Sequence, residues 1–128
     1  MKAQLTKILS VFLVLFIWGT AVADSSVRVV WICSVNDGQT MDDVRASNSA
    51  WVRFMHANVD DAISSVILTP IIGNIEEGRF IFADDFPSYD VWNQAREASE
   101  TAAGQKIDAA INDAATCDSN SLYSAEES

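Results

Sequence analysis

The side chains able to do chemistry in this sequence are few and scattered. His56 is the single histidine, and so the one side chain whose unperturbed pKa lies near neutrality. With Asp60 and Asp61 close behind it, His56 could accept a proton or ligate a haem. Near the end of a helix it is otherwise a partly exposed structural residue, favoured there by the negative pole of the helix dipole, and this second reading is preferred. Asn48 lies among apolar residues at helical spacing, where a buried amide must meet either a ligand or protein partners. Trp31, Trp51 and Trp92 could line an apolar ligand site, although large aromatics at strand and helix spacing more commonly build a core. No serine sits in a nucleophile elbow, and the sequence contains no phosphate-cradling glycine loop and no zinc-protease pattern.

Metal chemistry has little to work with. Five acidic doublets recur, at 42–43, 60–61, 76–77, 84–85 and 126–127, but loop sites for calcium alternate their ligands around a glycine turn. Asn36-Asp37-Gly38 comes nearest and lacks that order. One histidine and two distant cysteines give no zinc ligand set. Neither a metal nor a cofactor is expected. Asp84-Asp85 is read as capping a loop before Pro87.

Composition excludes whole classes of partner. The 128 residues carry 18 acidic against 8 basic side chains, for a net charge of −10, and 49% are hydrophobic. Such a chain is too apolar for disorder and too acidic to bind nucleic acid. Residues 1–23 read as a cleaved signal peptide. Lys2 and Lys7 form a basic start, Ile8 to Trp18 an apolar run, and Ala21-Val22-Ala23 a small-residue cleavage site. The apolar run is too short to span a bilayer comfortably, so no stable membrane anchor is expected after cleavage. The remaining residues, 24–128, form one domain at −12, expected in the periplasm or secreted.

The elements follow from periodicity and punctuation. Val27 to Val35 is β-branched and aromatic, with apolar residues on both faces, as an interior strand requires. Thr40 and Asp43 form a capping-box pattern for a helix from Met41 to about Asn58. Ile63 to Ile72 and Arg79 to Asp84 read as a hairpin with a long loop. Ser88 caps a second helix that Gly104 ends. A further short helix covers Gln105 to Ala115, and Asn120 to Ala125 forms a last short strand. The order β-α-β-β-α-β defines an α+β, ferredoxin-like fold, a four-stranded antiparallel sheet with its helices on one face. Ile81 and Ala83 lie opposite Phe80 and Phe82, so the helix-free face is apolar too. An exposed apolar face calls for a partner, and a second copy of the chain would cover it.

The strings VRVVWICSVNDGQTMDDV, WVRFMHANV, ILTPIIG and FIFADDFPSYDVW, in this order of elements, resemble the dimeric α/β-barrel superfamily. That group includes antibiotic-biosynthesis-type monooxygenases and NIPSNAP-like or EthD-like domains, and the likeness is greatest to exported bacterial members. The resemblance implies a homodimer through the open sheet face, with a pocket between each subunit's sheet and helices. Asn48 resembles the pocket asparagine of some monooxygenase-like members. In a ferredoxin-like sheet the first and last strands are neighbours, which brings Cys33 and Cys117 within reach of an intrachain disulfide, with a bridge between subunits as the alternative, and export supplies an oxidising compartment. Closing that loop contributes roughly 4 kcal/mol in the chain-entropy view.

The preferred function is an exported homodimeric domain that binds a small apolar ligand or serves an accessory role. One alternative is a cofactor-independent monooxygenase or oxidoreductase acting on a small apolar or aromatic substrate. Another is a structural protein-interaction domain.

Overall fold

The computed structural model describes residues 25–128, and the expected leader, 1–23, lies outside them. Strand β1, Ser26–Val35, is followed by helix α1, Met41–Asn58. The capping box closes as its residues require: the Thr40 hydroxyl accepts from the Asp43 amide at 3.3 Å, and the Asp43 carboxylate accepts from the Thr40 amide at 2.8 Å.

Strand β2 spans only Ser64–Leu68, against an expected end at Ile72. Thr69-Pro70 ends it, because proline cannot donate to the ladder. The chain then leaves the sheet, with Ile71 and Ile72 95% and 93% exposed. Strand β3, Arg79–Phe86, runs two residues past the expected Asp84. Asp84 and Asp85 therefore belong to the strand and do not cap a loop.

Helix α2, Tyr89–Ser99, starts at the expected cap, with the Val91 amide donating to the Ser88 hydroxyl at 3.2 Å. It ends before Gly104. Helix α3, Ala102–Ala114, starts from Thr101, whose hydroxyl accepts from the Gly104 amide at 3.1 Å. Gly104 thus lies in the first turn of α3, pressed on the end of α2. A β-carbon there would collide with the Ala98 carbonyl oxygen and the Ser99 backbone.

Strand β4, Ala115–Ala125, begins directly after α3, five residues before the expected Asn120. Its polar sequence hides it from any test of alternation, and its partner defines it. β4 pairs with β1 from Val35↔Ala115 to Ser26↔Ala125, slipping between Ile32 and Cys33 so that Asp118 is bulged out. Beside the bulge Cys33 and Cys117 face each other across the ladder, joined in a disulfide.

The sheet order is β2-β3-β1-β4, antiparallel throughout, which is the ferredoxin-like arrangement. One face carries Val27, Val29, Cys33, Phe80, Phe82 and Phe86 into a core with Val44, Trp51 and Met55 of α1. The other carries Val30, Ile32, Val66, Leu68 and Ile81 with no helix over it. Among the described residues no helix is long and apolar enough to cross a membrane.

The corner at Gly104 gives a direct test. Gly104→Ala is expected to destabilise the chain by about 1–3 kcal/mol through overpacking. For a domain of this size that lowers Tm by on the order of 5–15 °C, measured by circular dichroism; an unchanged Tm would show that the corner yields.

Candidate ligand-binding cavity

Strand alternation builds the floor of a cavity between sheet and helices. Phe80, Phe82, Asp84 and Phe86 share one parity of β3, so Asp84 projects into the row that the helices cover. Asp85 projects to the opposite face, where its carboxylate takes two hydrogen bonds from the Arg28 guanidinium at 2.7 and 2.9 Å. The doublet is thus split by the sheet, one carboxylate inside and one outside.

The cavity holds about 670 Å³, within the usual size of a small-molecule site. Trp31 of β1, Trp51 of α1 and Trp92 of α2 wall it, together with Phe82 and Phe86. The side between α3 and β4 is more polar, with Asp108, Asn112 and Asn120. The three tryptophans singled out in the sequence therefore meet at one place. Asn48 joins them, whereas His56 does not line the cavity: it lies exposed near the end of α1, with Nε2 donating to the Ile63 carbonyl at 2.6 Å. This bond ties the end of the helix to the start of β2.

A chain of hydrogen bonds crosses the floor. The Trp31 indole Nε1–H donates to Asp84 Oδ2 at 3.1 Å, and the Ser65 hydroxyl donates to Asp84 Oδ1 at 2.6 Å. A hydroxyl has one proton, and the shorter contact takes it. Asn48 must then donate from Nδ2 to Ser65 Oγ, at 3.1 Å. When Asp84 is protonated the direction can reverse, with Ser65 donating to Asn48 Oδ1 at 3.2 Å. Every buried side-chain nitrogen and oxygen among the described residues has a partner.

Asp84 is only 8% exposed. Burial pushes its carboxyl from the ordinary 3.8 up to about 6, against the opposing pull of the Ser65 and Trp31 hydrogen bonds. Burial also raises the Asp108 carboxyl. The guanidinium of Arg96 lies over the Trp92 ring, 5.2 Å from its centroid. Among the described residues no group of three or more histidine, cysteine, aspartate or glutamate side chains could hold a metal ion.

Asp84 is the buried carboxylate of the cavity floor and Ser65 holds it from β2; the sequence reading took the first for a loop cap and did not single out the second. The signal was present in FIFADDF, where every second residue is a phenylalanine except Asp84. Extending the third strand by two residues places that carboxylate in the buried row.

No family model and no curated protein matches the sequence. Solved structures do match the fold. SnoaB, a cofactor-independent oxygenase from Streptomyces nogalater, superposes with a TM-score of 0.61 at 11% identity, over 81% of this chain and 96% of that one. A dimeric ferredoxin-like protein of unknown function from Thermobifida fusca gives 0.52 at 12% identity, over 80% and 92%. An Arabidopsis thaliana protein gives 0.53 at 13% identity, over 80% and 95%. The chain is an α+β protein of the ferredoxin-like fold, and these likenesses extend to the fold alone.

A buried carboxyl with a raised pKa makes stability depend on pH in a defined direction. Between about pH 4 and pH 6 the folded chain holds the Asp84 proton more tightly than the unfolded chain, so Asp84 lowers stability as pH rises through that window. The full effect is about 3 kcal/mol, reached above pH 6. Asp84→Asn keeps a neutral group that the reversed hydrogen-bond chain can satisfy. It is expected to raise Tm at pH 7 and to leave it unchanged at pH 3.5; a lower Tm at pH 7 would contradict the burial cost assigned to Asp84.

Proposed function

We propose that this chain is an exported, homodimeric domain that binds a small, largely aromatic ligand between its sheet and helices. The observation that carries the reading is the cavity of about 670 Å³, with three tryptophans in its walls and a buried carboxylate on its floor. Apolar walls with a few placed polar groups are the usual composition of small-molecule sites. A buried carboxylate that lowers stability at neutral pH is the kind of feature that function, not folding, retains. The disulfide fits an oxidising compartment and so supports export.

Pairing through the open face is supported by the apolar row Val30, Ile32, Val66, Leu68 and Ile81, and by the dimeric Thermobifida protein of the same fold. The charged groups on this face, the Arg28–Asp85 and Arg79–Asp118 ion pairs, lie toward the two ends of the row. Light scattering at micromolar concentration should give twice the chain mass, and Ile32→Glu should give a monomer. A monomeric parent protein would overturn the pairing.

One observation favours a second reading, cofactor-independent oxygenation. Asp84, with a pKa near 6, is poised to take a proton from a bound hydroxyaromatic compound; dioxygen would be the oxidant. Titration with 1-naphthol, followed by tryptophan fluorescence under argon and under air, separates the two. Saturable quenching in both atmospheres, without loss of naphthol, supports binding. Loss of naphthol with uptake of dioxygen under air supports the oxygenase.

A further inference from the structure

The charges around the cavity do not balance. Among the described residues Asp84, Glu100 and Asp108 line it, and Arg96 is the one basic side chain that does. Arg96 is exposed and stacked over Trp92, not paired with a carboxylate. The ion pairs among the described residues are Arg28–Asp85, Arg45–Asp42 and Arg79–Asp118, and Asp84 is in none of them. Its two hydrogen-bond donors, Trp31 and Ser65, are both neutral. A buried carboxylate without a countercharge is held at a cost that a cation would relieve.

The walls favour the same sign. Indole faces attract cations through their quadrupole, the more so when desolvated. Trp31, Trp51 and Trp92 stand in the walls of the cavity, whose volume of about 670 Å³ leaves ample room for one ring and a short side arm. The chain's net charge of −10 also raises the local concentration of cations and lowers that of anions.

We propose that the cavity selects an organic cation, an aromatic ring bearing a primary ammonium group, whose ammonium pairs with Asp84 while its ring packs among the tryptophans. The proposal rests on the reading of the cavity as a ligand site and adds its chemical class. Ammonium N–H groups fill the acceptor capacity that Asp84 retains beyond its two hydrogen bonds. An anionic ligand of the same shape would confront the carboxylate at close range, and a neutral one would leave it without a countercharge.

The groups that set the pH response are few. Facing the cavity, α1 presents Asn48, Trp51 and Met55, none of them charged, while α2 presents Arg96, the α2–α3 corner Glu100, and α3 Asp108. From the sheet, β1 presents Val29 and Trp31, and β2 contributes Ser65 through its bond to Asp84. Asp84 and Asp108 are the two whose carboxyls burial raises, so amine affinity should fall as the pH drops below about 6 and proton uptake neutralises the site.

Calorimetric titration of the full protein at pH 7.5 with phenethylamine, 2-phenylethanol and 3-phenylpropionate tests the choice of charge. Phenethylamine is expected to bind at least tenfold tighter than the alcohol, with the carboxylate weakest, and to lose at least fivefold in affinity at pH 5. Asp84→Asn should erase the preference for the amine, while Asp85→Asn, on the far face of the sheet, should keep it. Equal binding of amine and alcohol, or a preference that survives Asp84→Asn, would overturn the proposal and leave the cavity as a ligand site. Failure of all three compounds and of 1-naphthol to bind would overturn the ligand site as well.

Discussion

Strand β1 is hydrogen-bonded along both edges, to β3 on one side and β4 on the other, and the remaining elements take their places from that double pairing. Its inward residues fix the row that the helices cover. Its outward residues fix the centre of the exposed face. Trp31 packs against both halves of the core, one under α1 and α2, the other around Phe80 and the disulfide. The same side chain directs its indole N–H at Asp84. One strand therefore joins the two clusters and supplies the first donor of the cavity floor.

Much of this was legible because local and long-range signals agreed. The β-branched run of β1, the Thr40–Asp43 box and the Ser88 cap each specify their element within a few residues, and the structure places all three as read. The order of elements was enough to bring Cys33 opposite Cys117. Disagreement arose where a local signal had two physical meanings. Gly104 was read as a helix end because glycine tolerates a left-handed backbone. Here the same residue is used for its missing β-carbon, where two helices meet at a sharp corner. β4 has no alternation to detect, since Thr116, Ser119, Asn120 and Ser121 can face either way; its length comes from the partner strand.

The cavity was half legible. Residue type placed Trp31, Trp51, Trp92 and Asn48 on inward faces, and the fold gathers them. Asp84 was missed because an acidic doublet beside a proline resembles a loop, and only the extra turn of the pleat shows that its two members part company. Ser65 has no signal of its own in the sequence. It comes to support the floor because β2 pairs with β3 in the register that sets it against Asp84. His56, conspicuous as the single histidine, instead holds a backbone carbonyl.

The two edges of the sheet differ in a way that bears on assembly. β2 is five residues long and stops short of a proline, whereas β4 is eleven residues long, polar over most of its length, and distorted by the bulge at Asp118. Neither offers the long, flat, apolar ladder that invites another strand to join. Copies of this chain are thereby discouraged from adding edge to edge, a mode of growth with no natural end. Contact through the face is different, because one twofold meeting uses up both surfaces. The polarity that made β4 hard to recognise is also what makes it a poor template for open-ended, fibre-like growth.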